Sequence, residues 1–211
     1  MGQVEIGYTV ACEEHGPRDV VRYARRAEEA GFSFALVSDH FHPWIDRQGN
    51  SPFAWSVIGA IAEATERLRV GTGVTCPTVR IHPAIVAQAA ATCAAMLPGR
   101  FVLGVGGRIG DGFVGTSPEA ELIEAFQKAG RAGEPCYGQV TVCFAEREDD
   151  ARRTAHEWWP NIGIPGELGQ MLPQPAHLEQ AAGNVTEDVV AEDGFFRFYE
   201  HEVPFHELSM G

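Results

Sequence analysis

The chain has 211 residues, 45% of them hydrophobic and 21% charged, and its formal net charge is −13. This composition is typical of a globular protein with one sizeable core. The negative charge argues against binding to nucleic acid or to an anionic membrane surface, because both require clustered lysine and arginine. Because the sequence has no apolar run of membrane-spanning length and no signal pattern at its start, we expect a soluble, cytoplasmic protein.

Short apolar segments alternate with helical patterns in the first half of the chain. Strands are predicted over Gln3 to Cys12, Phe32 to Ser38, Arg67 to Thr75 and Phe101 to Gly106. Helices are predicted from Pro17, from a Ser51-Pro52 cap, and over His82 to Leu97 with Ile85, Val86, Ala89, Cys93 and Met96 inward. The repeat of roughly thirty residues is that of a βαβ unit, which predicts a parallel sheet with helices outside. A doubly wound sheet and a (β/α)8 barrel both fit, although no G-x-G-x-x-G follows the first strand.

The second half has a less regular pattern. Two further strands are predicted, over Phe113 to Thr116 and over Gln139 to Ala145. Helices are predicted over Ser117 to Ala132 and Arg147 to Trp159, after Pro175, and from Gly194 to Glu202. This gives six strands. Because no crossover helix separates the fourth strand from the fifth, either a segment is missing or these strands are not parallel neighbours.

An acid, two imidazoles and an indole follow the second strand, at Asp39, His40, His42 and Trp44. Side chains at the carboxyl end of a parallel strand face the crevice in which α/β proteins bind ligands. Histidine changes charge near neutral pH, so His40 is suited to proton transfer if a carboxylate such as Asp39 or Glu13 orients it. A purely structural interpretation is also open, because an Asp-His pair can cap a loop.

The cysteines and the other histidines do not predict a metal site. No C-x-x-C pair occurs, which favours free and mostly buried thiols at Cys12, Cys76, Cys93, Cys136 and Cys143. A zinc site is disfavoured because no i, i+4 spacing links His15, His40, His42 and His82.

Several segments together resemble the luciferase-like superfamily, in particular its branch that uses the deazaflavin coenzyme F420 and includes F420-dependent glucose-6-phosphate dehydrogenases. The matching segments are Ala30 to Phe32, Ser38 to Trp44, Arg69 to Pro77, Gly99 to Phe113 and Gly194 to Glu200. The resemblance implies a TIM-type (β/α) barrel with the cofactor ring at the carboxyl ends of the strands. It also implies an oxidoreductase that transfers a hydride between a small alcohol or carbonyl substrate and F420.

The resemblance also implies roles for individual residues. Asp39 and His40 would lie by the deazaflavin ring, with His40 as the proton-transfer group, and Trp44 would line the substrate pocket. The stretch Gly73-Val74-Thr75 would support the back of the ring through a non-prolyl cis peptide bond. Gly106, at the end of the fourth strand, is a further predicted cofactor-binding residue, and a homodimer is expected.

Two segments of the family pattern are missing here, near residues 106–107 and 192–193. The first would contain the glutamate that is the usual general acid of the family. We therefore predict a single domain over residues 1–211 whose barrel has about six of its eight strands. Glu119 and Gly169 stand at the positions of two phosphate-binding lysines, so glucose 6-phosphate is not the expected substrate.

Two other functions are compatible with this resemblance. The chain could be a luciferase-like monooxygenase that uses FMN. It could also be a non-catalytic, truncated barrel that pairs with a partner chain, since the predicted barrel lacks strands and leaves open sheet edges.

Overall fold

The structure, a computed structural model, describes residues 5–77, 80–106, 108–110, 112–115, 120–131, 133–139, 141–164, 174–193 and 196–199. The chain divides into two units. The first comprises Met1–Phe41 and Asn50–Gly138, and the second comprises His42–Gly49 and Gln139–Gly211. The prediction of a single domain over residues 1–211, with family segments missing near 106–107 and 192–193, stays a prediction.

The first unit contains a four-stranded parallel sheet in the strand order β1-β2-β3-β4. Its strands are β1 Gly7–Val10, β2 Phe34–Val37, β3 Arg69–Thr72 and β4 Phe101–Val102. The helices that connect them are α1 Pro17–Ala30, α2 Ala54–Ala64 and α3 Pro83–Met96. This alternation confirms the predicted βαβ repeat.

Helices α1 and α2 pack on the sheet through residues that recur at helical spacing. Val20, Ala24 and Ala27 of α1 are buried, and Gly31 ends that helix with φ 93°. The inner side of α2 is buried at Val57, Ile58, Ile61 and Ala62. These side chains join the strand residues in one core, whose stability comes from removing apolar surface from water.

Two predictions about the helices of the first unit are wrong. Helix α2 begins at Ala54 rather than at a Ser51-Pro52 cap, because the Ser51 hydroxyl donates instead to the backbone oxygen of His40 at 2.6 Å. In α3, Val86 and Cys93 are buried, but Ile85 is 51% and Met96 39% exposed. Half of this helix is alanine and its only polar residues are Gln88 and Thr92, so it has no broad polar face from which its inward side could be predicted.

A second sheet of the first unit contains β5 Gly104–Val105, β6 Arg108–Ile109, β7 Gly112–Gly115 and β8 Cys136–Gly138. Strands β5, β6 and β7 pair antiparallel, and β7 pairs parallel with β8. The fourth and fifth predicted strands are therefore joined by short antiparallel connections, which need no crossover helix. Helix α4, Ala120–Phe126, is followed by a kink within Gln127–Arg131, where Gly130 has φ 85° and is not helical.

The second unit contains a two-stranded parallel sheet of β9 Thr141–Phe144 and β10 Phe196–Tyr199. Its helices are α5 Glu148–Trp158, a 3-10 turn at Pro160–Gly163, α6 Pro175–Ala182 and α7 Glu187–Asp193. The predicted helix from Gly194 to Glu202 is wrong, because its described residues pair with β9 as a strand. The aromatic residues of β10 favour a strand over a helix.

The described residues form ten strands, so the count of six strands is wrong. The predicted strand over Phe101 to Gly106 is divided into β4 and β5, and β6 and β8 are two and three residues long, too short to give a sequence pattern. Within the described residues, no helix has both the length and the apolar character needed to cross a membrane.

Candidate functional site

The carboxyl ends of three parallel strands bring the predicted site residues of the first unit to one edge of the sheet. Val10 of β1 pairs with Val37 of β2, and Val37 pairs with Thr72 of β3. Because the strands are parallel and end in register, the residues that follow them emerge at the same edge. These segments are Cys12-Glu13, Ser38-Asp39-His40 and Gly73-Val74-Thr75.

Glu13 and His40 form a hydrogen-bonded pair at this edge. Oε1 of Glu13 lies 2.5 Å from Nδ1 of His40, and the Glu13 side chain is only 1% exposed. The other carboxylate oxygen, Oε2, accepts a hydrogen bond from the Ser38 hydroxyl at 2.9 Å, and that hydroxyl accepts from the backbone N–H of Cys12 at 2.8 Å. The carboxylate is thus held from two sides, which orients the His40 ring.

The protonation of this pair follows from the environment of Glu13. Burial raises the pKa of Glu13, but hydrogen bonds from His40 and Ser38 and the charge of His40 outweigh burial, so the pKa lies below its ordinary value. Glu13 is therefore ionised at neutral pH and accepts the proton on Nδ1 of His40. In the neutral imidazole the lone pair then lies on Nε2. The His40 side chain is 40% exposed, so a ligand can approach the ring.

Cys12 is close to these groups but is not a nucleophile. Burial raises its pKa to about 12, and the negative charge of Glu13 adds to this effect. The thiol is therefore protonated at neutral pH, whereas the reactive form of a cysteine is the thiolate.

Asp39 has other partners at this edge. Its side chain is 1% exposed, and Oδ2 accepts a hydrogen bond from the Thr75 hydroxyl at 2.8 Å. Oδ1 forms an ion pair with Arg80, and Nη2 of Arg80 also donates to the backbone oxygen of Asp39 at 3.2 Å. The sequence offers two carboxylates, Asp39 and Glu13, as the group that could orient His40. In the structure, Glu13 contacts the His40 ring.

The end of β3 has the predicted backbone feature. The bond between Gly73 and Val74 is a non-prolyl cis peptide bond, which confirms that part of the prediction. Beyond it, the backbone N–H of Thr75 donates to Gly104 at 2.9 Å, and the N–H of Gly106 donates to Thr75 at 3.2 Å. Gly106 has φ 57°, and a Cβ added there would meet no heavy atom of the described residues within 4 Å, so those residues leave space beside this turn.

Trp44 belongs to the second unit. Its side chain packs against the buried cluster of Ile164, Leu178 and Ala182. Its backbone N–H donates to the Gln48 side chain at 2.9 Å, and that side chain donates to the backbone oxygen of Trp158 at 2.9 Å. The predicted role of Trp44 in a substrate pocket stays a prediction.

Arg80 and Ser38 are members of the site that sequence reasoning misses. Arg80 is the only lysine or arginine between Arg69 and Arg100, an isolation that could have singled it out. The sequence predicts Ser38 as the last residue of a strand and gives no sign that its hydroxyl holds Glu13. Among the residues that the structure describes, no three histidine, cysteine, aspartate or glutamate side chains are grouped so that they could hold a metal ion.

The fold and the site define an α/β protein whose polar residues gather at the carboxyl ends of parallel strands. Residues 3–111 match the model of the luciferase-like monooxygenase family, and the chain belongs to this family.

Two relatives are F420-dependent glucose-6-phosphate dehydrogenases. The protein from Kribbella flavida is 50% identical over 103 residues, which are 49% of this chain and 31% of the relative. The protein from Nocardia farcinica is 44% identical over 137 residues, 60% of this chain and 41% of the relative. The chain thus matches less than half the length of either relative.

One solved structure extends the likeness over most of the chain. An F420-dependent secondary alcohol dehydrogenase, determined in complex with an F420-acetone adduct, superposes with a TM-score of 0.79. The superposition covers 93% of this chain and 86% of that protein, at 23% sequence identity. This likeness confirms the predicted luciferase-like α/β fold class.

Proposed function

We propose that this chain is an F420-dependent oxidoreductase that transfers a hydride between a small alcohol or carbonyl substrate and the deazaflavin. The observation that supports it most is the Glu13–His40 pair, at the same sheet edge as the cis Gly73–Val74 bond. An alcohol oxidation releases a proton as well as a hydride, and this pair can take the proton. The two relatives from Kribbella flavida and Nocardia farcinica are F420-dependent enzymes, which supports the choice of cofactor.

The residues at the strand ends fit a flat, polar ring. The Asp39 carboxylate fixes Thr75 at this edge, and the segment from Gly73 to Thr75 offers backbone groups at the end of β3. The open space beside Gly106 would allow a ring to approach the backbone closely. These features support the proposal that Asp39, His40, Gly73 to Thr75 and Gly106 form the cofactor-binding set.

The chain's own residues provide the proton route. F420, when bound, supplies the hydride acceptor. In the direction of alcohol oxidation, Nε2 of His40 accepts the hydroxyl proton while the hydride leaves the carbon atom, which gives the carbonyl product. The imidazolium that forms has Nδ1–H directed at the ionised Glu13, which stabilises its positive charge. In the reverse direction the same nitrogen returns the proton to the carbonyl oxygen.

A neutral substrate suits this edge better than a phosphorylated sugar. Arg80, a cation at the edge, is paired with Asp39, and a phosphate dianion needs several charge-assisted donors. The positions of the two family lysines, Glu119 and Gly169, lie outside the described residues. The structural neighbour, a secondary alcohol dehydrogenase in complex with an F420-acetone adduct, also favours a small alcohol or ketone.

A luciferase-like monooxygenase that binds FMN is the second candidate, because the family that matches residues 3–111 is that of luciferase-like monooxygenases. Fluorescence titration of the full chain with F420 and with FMN separates the two. Saturable binding of F420, together with F420 reduction when 2-propanol is added, supports the proposal. Saturation by FMN alone favours the monooxygenase, and no saturable change with either favours a non-catalytic chain that pairs with a partner.

A homodimer and a cytoplasmic location complete the proposal as predictions from the sequence. The mass of the protein in solution, measured with and without F420, tests the first. A value of one chain under both conditions would contradict the homodimer.

A further inference from the structure

The Asp39 carboxylate is held by groups from the segment that follows β3, on both its side-chain oxygens. The Thr75 hydroxyl donates to Oδ2 at 2.8 Å, and Arg80 pairs with Oδ1. Arg80 also donates to the backbone oxygen of Asp39 at 3.2 Å, so one guanidinium group contacts both the side chain and the main chain of this residue.

The pair is largely removed from solvent. The Asp39 side chain is 1% exposed and that of Arg80 is 24% exposed. Within the described ranges, Arg80 is the only lysine or arginine within 4 Å of the Asp39 carboxylate. Burying a carboxylate without a partner of opposite charge costs free energy. The orientation of the buried Asp39 carboxylate therefore depends on Arg80.

Asp39 directly precedes His40 in the chain and contacts Thr75, next to the cis Gly73–Val74 bond. A change in its rotamer would therefore alter the positions of Thr75 and of the backbone before His40, at the edge where the cofactor ring is proposed to bind. A planar guanidinium with several donors fixes a carboxylate more tightly than an ammonium group does.

We propose that Arg80 is a positioning residue for cofactor binding, which holds the Asp39 carboxylate in one orientation beside the end of β3. This inference rests on the proposed function, because it assigns Arg80 a role at the same site. Arg80 acts through Asp39 and does not itself contact the substrate.

A double-mutant cycle on the full chain tests the proposal, with the Kd for F420 measured by fluorescence titration. Arg80→Gln is expected to raise the Kd by about tenfold or more, since it leaves a buried carboxylate without its partner. Arg80→Lys, which retains the charge, is expected to restore part of the loss and to stay about threefold weaker than the parent chain. In the Asp39→Asn chain, Arg80→Gln is expected to change the Kd by no more than about twofold.

Two other outcomes would overturn the proposal. A Kd unchanged by Arg80→Gln removes the role of Arg80. Equal losses in the parent and Asp39→Asn chains mean that Arg80 contacts the cofactor directly, or acts on the fold alone. If Arg80→Gln does not fold, Arg80→Lys decides: a loss of about threefold or more that disappears in the Asp39→Asn chain supports the proposal, and no loss contradicts it.

The parent chain separates this test from that of the proposed function. If the parent does not bind F420, the proposed function and this inference both fail. If the parent binds F420 and every Arg80 variant binds it equally well, only the inference about Arg80 fails.

Discussion

Oε1 of Glu13 lies 2.5 Å from Nδ1 of His40, at the edge where β1 and β2 end. The Glu13 carboxylate is buried and the His40 imidazole is partly exposed, so Glu13 can fix the orientation of the ring while the ring stays accessible to a ligand. This arrangement suits a proton-transfer group, because the hydrogen bond from Nδ1 to Glu13 fixes the tautomer of the His40 ring.

The first prediction concerns His40. His40→Ala should lower turnover by about a hundredfold or more, because it removes the proton acceptor, while the Kd for F420 changes little. His42→Ala is the control, since Nδ1 of His42 donates to the neighbouring oxygen of Pro43 at 2.8 Å and has no predicted role in proton transfer. Steady-state rates of F420 reduction with 2-propanol and fluorescence titrations measure both quantities. Equal rates in the His40→Ala and parent proteins would remove the assignment.

The second prediction concerns the pH dependence of stability. The pKa of Glu13 lies below its ordinary value of 4.5, so the ionised form stabilises the folded state. That contribution is complete above pH 4.5 and is lost as the pH falls through the lower, folded-state pKa. Glu13→Gln should therefore lower the urea midpoint at pH 7, and the difference from the parent should shrink at acidic pH.

Glu63, an exposed residue of α2, provides the control for this measurement. Glu63→Gln should leave the urea midpoint nearly unchanged at both pH values. A Glu13→Gln protein whose deficit stays constant from pH 7 down to about pH 3 would show that its ionisation does not contribute to stability.

The sequence predicts the site better than it predicts the outer parts of the fold. The apolar run before Asp39 and the helical periodicity of α1 are strong local signals, and they place His40 at a strand end. The cis bond at Gly73–Val74 is predicted only through the family resemblance. Composition or periodicity alone would not reveal such a bond.

The errors have local physical causes. Ser51 looks like a helix cap, but its hydroxyl bonds to His40, a residue distant enough in sequence that no local pattern reports it. The strand β10 is stabilised by pairing with β9, more than fifty residues earlier in the chain. Arg80 is missed for the same reason, because its partner Asp39 is 41 positions away.

The third prediction compares two glycines of the Gly104-Val105-Gly106 turn. A Cβ at Gly104 would overlap the backbone oxygen of Thr72, so Gly104→Ala should destabilise the protein by about 3 kcal/mol or more. A Cβ at Gly106 meets no atom of the described residues within 4 Å, and the φ of 57° disfavours alanine, so Gly106→Ala should cost about 1 kcal/mol. Urea unfolding measures both. Equal losses at the two positions would contradict the close approach of β3 and β5.

The fourth prediction uses the thiols. Cys76 and Cys136 are exposed, whereas Cys12 and Cys93 are buried and burial raises the pKa of both. With iodoacetamide at about pH 8, Cys76 and Cys136 should be alkylated first, and Cys12 and Cys93 only once the protein is unfolded in urea. Peptide mass spectrometry identifies the modified residues. Rapid labelling of Cys12 in the folded protein would contradict its position beside Glu13 and Ser38.

Hydrogen–deuterium exchange of the full chain, with and without saturating F420, tests the central claim most directly. We predict slower exchange in peptides that contain Ser38 to His40 and Gly73 to Cys76, and no change at β8, Cys136–Gly138. Saturable F420 binding with no slowing in the first two segments would place the cofactor elsewhere and contradict the site proposed at the ends of β2 and β3.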